Sequence, residues 1–140
     1  MMSVGCRDDC VDTSKLIAIL EKEPDAARYA EAIAEADGPL ISAATLLELH
    51  IVMLNRHGTR AAQIVDRLIQ DAAFQIENFT AQHVELAREA YACYGKGRNA
   101  AGLNYGDCFS YALAKATGLP LLFKGQDFSK TDLVAVVPNT

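Results

Sequence analysis

The sequence predicts an α/β domain: an α/β/α sandwich around a central, mostly parallel sheet of four to five strands. Two observations predict it. Short apolar runs of strand length alternate with longer stretches of helical period, the order that builds a parallel sheet covered on both faces. Capping residues and glycines punctuate the chain where those stretches begin and end. The 140 residues suit one domain, spanning 1–140. A domain of about 150 residues buries roughly 68–70% of its unfolded surface, so a core forms without disulfides or a structural metal.

In chain order, Cys10-Val11-Asp12 reads as the end of a first strand, and Ser14 as the cap of a helix carrying Leu16, Ile17, Ile19 and Leu20. Pro24 fits the first turn of an Ala-rich second helix that stops near Asp37-Gly38. Pro39-Leu40-Ile41-Ser42 is a second strand. A third helix runs from Ala43 to His57, closed by Gly58. Thr59 caps a fourth helix, Phe74-Gln75-Ile76 forms a third strand, and Thr80 caps a fifth helix ending near Tyr94. After a Gly-rich loop, 95–103, Asn104 caps a sixth helix from Tyr105 to Thr117, closed by Gly118. Leu119-Pro120-Leu121-Leu122-Phe123 is a fourth strand, and 133–137 a possible fifth.

Composition excludes several classes. Hydrophobic residues make up 51% and charged ones 22%, ordinary for a globular protein. No apolar run approaches the roughly 20 residues that a membrane span needs. Arg7, Asp8 and Asp9 stand where a signal peptide would be apolar. The four cysteines, Cys6, Cys10, Cys93 and Cys108, make no Cys-x-x-Cys pair and no zinc-finger spacing. The expectation is a cytoplasmic protein with free thiols and no membrane partner. A net charge of −5 argues against a simple nucleic-acid binder, unless acidic residues share a cation that offsets their charge where a phosphate would sit.

Four of the 18 acidic residues stand out. In a parallel sheet, ligands bind beyond the carboxyl ends of the strands. Asp12 ends the first strand and Asp127 follows the fourth. Glu48 sits in the apolar stretch Leu46-Leu47-Glu48-Leu49 of a helix that reads as largely buried, where an isolated carboxylate needs a partner, a proton or a metal. Asp107 opens the sixth helix. Each has a plainer reading: Asp12 as a helix cap, Asp107 as an acid facing a helix dipole, Asp127 as a turn residue, Glu48 as the partner of Arg56 or Arg60. Glu21, Glu23, Glu31, Glu35, Asp66, Asp71, Glu85 and Glu89 read as solvated. Together, four carboxylates from four elements are hard oxygen donors suited to Mg²⁺ or Mn²⁺.

Four stretches resemble the PIN domain, and within it the VapC-type toxins of bacterial toxin–antitoxin pairs. They are Val11-Asp12-Thr13-Ser14, the segment 42–48 ending in Glu48, Gly102-Leu103-Asn104-Tyr105-Gly106-Asp107-Cys108 with Ala112-Leu113-Ala114, and Leu121-Leu122-Phe123-Lys124-Gly125-Gln126-Asp127-Phe128 with Thr131-Asp132. The last two are the most specific. The resemblance implies a single PIN-like domain and a Mg²⁺- or Mn²⁺-dependent endoribonuclease that hydrolyses RNA phosphodiester bonds. It implies a homodimer and inhibition by a cognate VapB-type antitoxin, a basic side chain of which would enter the acidic cluster. It carries the metal-ligand and catalytic role onto Asp12, Glu48, Asp107 and Asp127, an orienting role onto Thr13 or Ser14, and phosphate contacts onto Lys96 and Arg98. Two features depart from the family pattern: the stretch Arg7-Asp8-Asp9-Cys10-Val11 opens with three charged residues where the first strand is usually apolar, so the strand is expected to start only at Cys10, and Lys15 replaces a small residue, reaching toward the site or into solvent.

Three other readings compete. A catalytically inactive PIN scaffold acting only as a binding or regulatory module keeps the fold without the chemistry. A phospho-receiver needs an acceptor Asp at the end of the middle strand, where Ser42 and Asn78 stand instead. A P-loop enzyme needs a full Gly-x-x-x-x-Gly-Lys-Ser/Thr spacing, which Gly95-Lys96-Gly97 lacks.

Overall fold

The computed structural model describes residues 9–97, 99–123 and 128–133. Four short strands, β1 (Cys10–Val11), β2 (Leu40–Ser42), β3 (Gln75–Glu77) and β4 (Leu121–Leu122), form one sheet in the order β3-β2-β1-β4. Every pairing is parallel: Cys10 sits beside Leu40 and Leu121, and Ile41 beside Ile76. Each return between sequential strands carries two helices. These are α1 (Thr13–Leu20) and α2 (Ala26–Glu35), then α3 (Ala43–His57) and α4 (Ala61–Asp71), then α5 (Ala81–Tyr94) and α6 (Tyr105–Thr117).

The period of two along each strand divides the core into two layers. Val11, Ile41 and Leu122 point to one face, where they pack with Leu16 of α1, Ile33 of α2, Leu49 and Met53 of α3, and Val65 of α4. Cys10, Leu40 and Leu121 point to the other, against Ala90 of α5 and Cys108, Tyr111 and Leu113 of α6. β1, β4 and the Leu40-Ile41 part of β2 are apolar on both sides because helices cover both faces there, whereas the edge strand β3 is largely exposed.

Local chemistry fixes the helix starts. The Ser42 hydroxyl ends β2 and accepts the Ala44 N–H at 3.2 Å. Thr80 accepts the His83 N–H. Asn104 and Asp107 form a reciprocal capping box at the start of α6, and Gly118 closes that helix at φ +73°.

Several expectations need correction. Asp12, not Ser14, caps α1, and α2 starts after Pro24, with Asp25 at its N-cap position. Thr59 caps nothing: a 3₁₀ turn, Gly58–Arg60, leads directly into α4. Helix α3 is not buried all round. It buries one stripe, Thr45, Leu49 and Met53, and leaves Leu47, Ile51 and Leu54 at 60%, 49% and 49% exposure. It lies on the sheet by one face, and no described element covers the other. The first strand does start at Cys10, yet Asp9 is buried beside it, and its carbonyl accepts the Leu40 N–H. Lys15 does not face solvent: it is buried with its ammonium over the Tyr29 ring. The possible strand at 133–137 lies outside the described residues apart from Leu133. Among the described residues, Cys10, Cys93 and Cys108 form no disulfide, and no helix is long and apolar enough to cross a membrane.

Candidate active site

Strand β1 delivers Asp12 to the carboxyl edge of the sheet, next to the start of α3 and the buried side of α6. Asp12 is 3% exposed. Its Oδ2 accepts the Ser14 N–H at 3.2 Å and the Ser14 hydroxyl at 2.8 Å, and its Oδ1 accepts the Ser110 hydroxyl at 2.6 Å. Burial nevertheless holds this carboxyl above its ordinary value, because desolvation of the charged form outweighs those donors. The capping role offered as the plainer reading of Asp12 is therefore real, but it uses only one of the two oxygens.

Glu48 lies on α3 at the border of the buried stripe, one turn after Thr45 and next to Leu49. Its partner is neither Arg56 nor Arg60. Arg56 and His57 instead bind Glu21, at 2.7 and 3.0 Å, so Glu21 is not simply solvated. The Thr13 hydroxyl donates to Glu48 Oε1 at 2.7 Å and ties α1 to α3. Burial raises the Glu48 carboxyl, the nearby charge of Asp12 adds to the rise, and the Thr13 bond opposes it. On its other side, Glu48 meets α6 at Gly106, where any Cβ would overlap the Oε2 atom.

That contact brings Glu48 within one residue of Asp107. The Asp107 carboxylate sits in the first turn of α6, as its dipole reading has it, and also accepts the Asn104 N–H at 2.9 Å. Its charge and burial together push the neighbouring Cys108 thiol up to about 11, burial being the larger cause. The structure thus groups Asp12, Thr13, Ser14 and Glu48, with Asp107 at their border. Lys96 is exposed in the loop before α6. Asp127 and Arg98 lie outside the described residues.

Two buried hydroxyls were missed in the sequence. Ser110 and Thr45 are 1% and 0% exposed and lie 3.3 Å apart, oxygen to oxygen, behind Asp12. A signal existed: Thr45 leads the buried stripe of α3, and Ser110 follows Gly106 by one turn on the buried side of α6.

Among the described residues no three His, Cys, Asp or Glu side chains gather at metal-binding spacing. The donors present still suit a divalent cation. Asp12 and Glu48 are hard oxygen ligands whose burial and mutual repulsion a cation would offset. Mg²⁺ commonly takes only one or two carboxylates, completing its shell with water and phosphate oxygens.

A parallel sheet ordered β3-β2-β1-β4 with paired helices in each return defines an α/β class with its carboxylates at the carboxyl edge, and the PIN domain model matches residues 10–134. The chain belongs to the PIN-domain family and, within it, to the VapC group. It is 50% identical over 127 residues to a VapC ribonuclease of Mycobacterium bovis, covering 90% of this chain and 96% of that protein. It is 48% identical over 126 residues to ribonuclease VapC of Mycolicibacterium smegmatis, covering 90% and 98%. Two solved structures share the fold. Mycobacterium tuberculosis VapC20, a toxin cleaving the sarcin–ricin loop, has a TM-score of 0.75 at 23% identity, covering 92% of this chain and 98% of that one. VapBC2 of Rickettsia felis, bound to a promoter DNA fragment, has a TM-score of 0.73 at 16% identity, covering 92% and 97%.

Proposed function

We propose that this chain is a divalent-metal-dependent endoribonuclease, Mg²⁺ or Mn²⁺ being the ion, and the toxin of a type II toxin–antitoxin pair. The observation that carries the reading is the pair of buried Asp12 and half-buried Glu48 at the carboxyl edge, held by Thr13, Ser14 and Ser110. Nearly full-length relatives named as ribonucleases support it. Asp12 and Glu48 are the proposed metal ligands, with Asp107 and Asp127 completing the acidic set. When bound, the cation supplies activation of water and stabilisation of the charge that develops on the scissile phosphate.

The chain's own residues set the stage for that step. Thr13 fixes one Glu48 oxygen, Ser14 fixes one Asp12 oxygen, and the absence of a side chain at Gly106 leaves the Glu48 carboxylate its place. Lys96, exposed in the loop before α6, and Arg98 are proposed to meet the RNA backbone as simple positive charges.

A VapB-type antitoxin and a second copy of the chain are the proposed partners, and the cytoplasm the proposed compartment. The exposed apolar stripe Leu47, Ile51 and Leu54 is consistent with a protein partner, since large exposed apolar side chains clustered on one face mark interaction surfaces. Purified protein incubated with a mixed cellular RNA pool tests the proposal. Cleavage with Mg²⁺ or Mn²⁺ that stops in EDTA supports it. Folded protein that leaves all RNA intact under both metals would favour an inactive binding scaffold.

A further inference from the structure

We propose that Ser110, seated on Thr45, is a positioning residue that presets the Asp12 carboxylate for the cation, a role that rests on the metal-dependent reading above. Ser110 has one hydroxyl proton, and the 2.6 Å separation from Asp12 Oδ1 is that of a short bond to a charged acceptor. With that proton committed, the 3.3 Å contact between Thr45 Oγ1 and Ser110 Oγ must run with Thr45 as donor. The result is a directed relay from Thr45 to Ser110 to Asp12, which crosses from α3 through α6 to the end of β1. All three residues are buried, at 0%, 1% and 3% exposure.

The relay complements the Ser14 anchor. Ser14 holds Oδ2 through its N–H and hydroxyl, and Ser110 holds Oδ1. One anchored oxygen fixes a point on the carboxylate, whereas two fix its plane. Oδ2 already accepts two bonds, so Oδ1, which accepts only the Ser110 hydroxyl, is the oxygen with a lone pair left for the cation. Groups that orient a metal ligand in this way typically change metal affinity or activity by roughly 10–100-fold when removed. Neither Ser110 nor Thr45 belongs to the acidic set, and neither need touch the cation or the RNA.

The test is Mn²⁺ binding to the intact chain, read by the paramagnetic signal of the free ion, with wild type, Ser110→Ala, Thr45→Val and Asp12→Asn compared, and the melting temperature of each recorded. Alanine is the better helix former, so Ser110→Ala does not weaken α6 through propensity. We expect Ser110→Ala to lose roughly 10–100-fold in Mn²⁺ affinity, Thr45→Val to lose less in the same direction, and Asp12→Asn to lose most. Ser110→Ala that melts lower but binds Mn²⁺ like wild type overturns the role, since a hydroxyl that only satisfies the core would behave so. If Ser110→Ala does not fold, the near-isosteric Thr45→Val decides: reduced affinity supports the relay and unchanged affinity overturns it. A wild type that takes up no Mn²⁺ overturns the metal reading and this role together. A wild type that binds beside an indifferent Ser110→Ala overturns this role alone.

Discussion

Gly106 of α6 and Glu48 of α3 meet so closely that the glycine's missing side chain is what lets the Glu48 carboxylate occupy its position. The contact joins the helix that carries Asp107 to the helix that carries Glu48, and the Thr13 hydroxyl holds the same carboxylate from the opposite side. Gly106→Ala is therefore expected to separate folding from chemistry. Alanine is favoured over glycine within a helix by about 0.5–1 kcal/mol, so the melting temperature should stay near that of wild type. The displaced Glu48 should lower metal-dependent cleavage on the order of 10–100-fold. Parallel melting and cleavage assays check this, and wild-type cleavage by Gly106→Ala would show that the position of Glu48 is immaterial.

The pH dependence follows from the raised carboxyls of Asp12 and Glu48. A carboxyl raised in the folded state favours folding while it is protonated in both states. That contribution is lost as pH climbs from the ordinary values of 3.8 and 4.5 through the higher folded ones. Metal-free protein should lose stability across this window. Added Mn²⁺ needs both groups ionised, so its stabilising increment should grow with pH and its binding should release protons. Cleavage should fall on acidification at a higher pH than ordinary carboxylates would give. Thermal melts in EDTA and in Mn²⁺ from mildly acid to neutral pH read the first effect. A metal increment independent of pH would contradict it.

Helix α3 gives a core prediction. Leu49→Ala removes a side chain that is 0% exposed, and Met53→Ala one at 2%. Each should cost about 2–5 kcal/mol in urea denaturation. Leu47→Ala and Ile51→Ala, on the open side, should change the stability of the isolated chain by no more than about 0.5 kcal/mol. Equal losses at both pairs would mean that the outer stripe is also covered.

Asp132 ties the segment after β4 to α6. It accepts the Tyr111 hydroxyl at 2.7 Å and the Lys115 ammonium at 2.5 Å. Burial opposes its ionisation, but Lys115 and Tyr111 more than compensate and hold its carboxyl below the ordinary value. Asp132→Ala takes the acceptor from the largely buried Tyr111 and should cost about 1–3 kcal/mol. Lys115→Ala, at an exposed site, should cost less. Because the Asp132 carboxyl is depressed, its contribution is present above the ordinary value of 3.8 and disappears as pH falls through the lower folded one. Urea titrations of both variants at neutral and strongly acid pH test the order and the sign.

Much of the fold was legible because its signals are local. The period of helix α3, the Thr80 and Asn104 caps and the glycines at 58 and 118 act over one or two turns, and the elements appear where those residues set them. The carboxyl-edge rule placed Asp12, and the apolar surroundings of Glu48 marked it as unusual. What the sequence did not reveal depends on packing. Burial of α3 on one face only is decided by the sheet beneath it and not by its own composition. The pairing of Glu21 with Arg56 and His57 depends on the ends of α1 and α3 meeting in space. The spacing of Ser110 and Thr45 places them on buried helix faces, but spacing alone does not distinguish a hydroxyl that holds a site residue from one that only satisfies the core. Their hydroxyls acquire a role only when α3 and α6 are brought together over Asp12.

In the proposed function, the buried Asp12 and the half-buried Glu48 form the catalytic centre. The most direct measurement is the rate at which wild type and Asp12→Asn cleave a mixed cellular RNA pool at saturating Mn²⁺, with folding of both verified by circular dichroism. Asn preserves the size of Asp12 and removes its charge. The account predicts metal-dependent cleavage by wild type and at least a hundredfold loss (~10²) in the variant, the scale on which removal of an electrostatic catalytic group acts. Equal cleavage by the two proteins would contradict it and move the chemistry away from the end of β1.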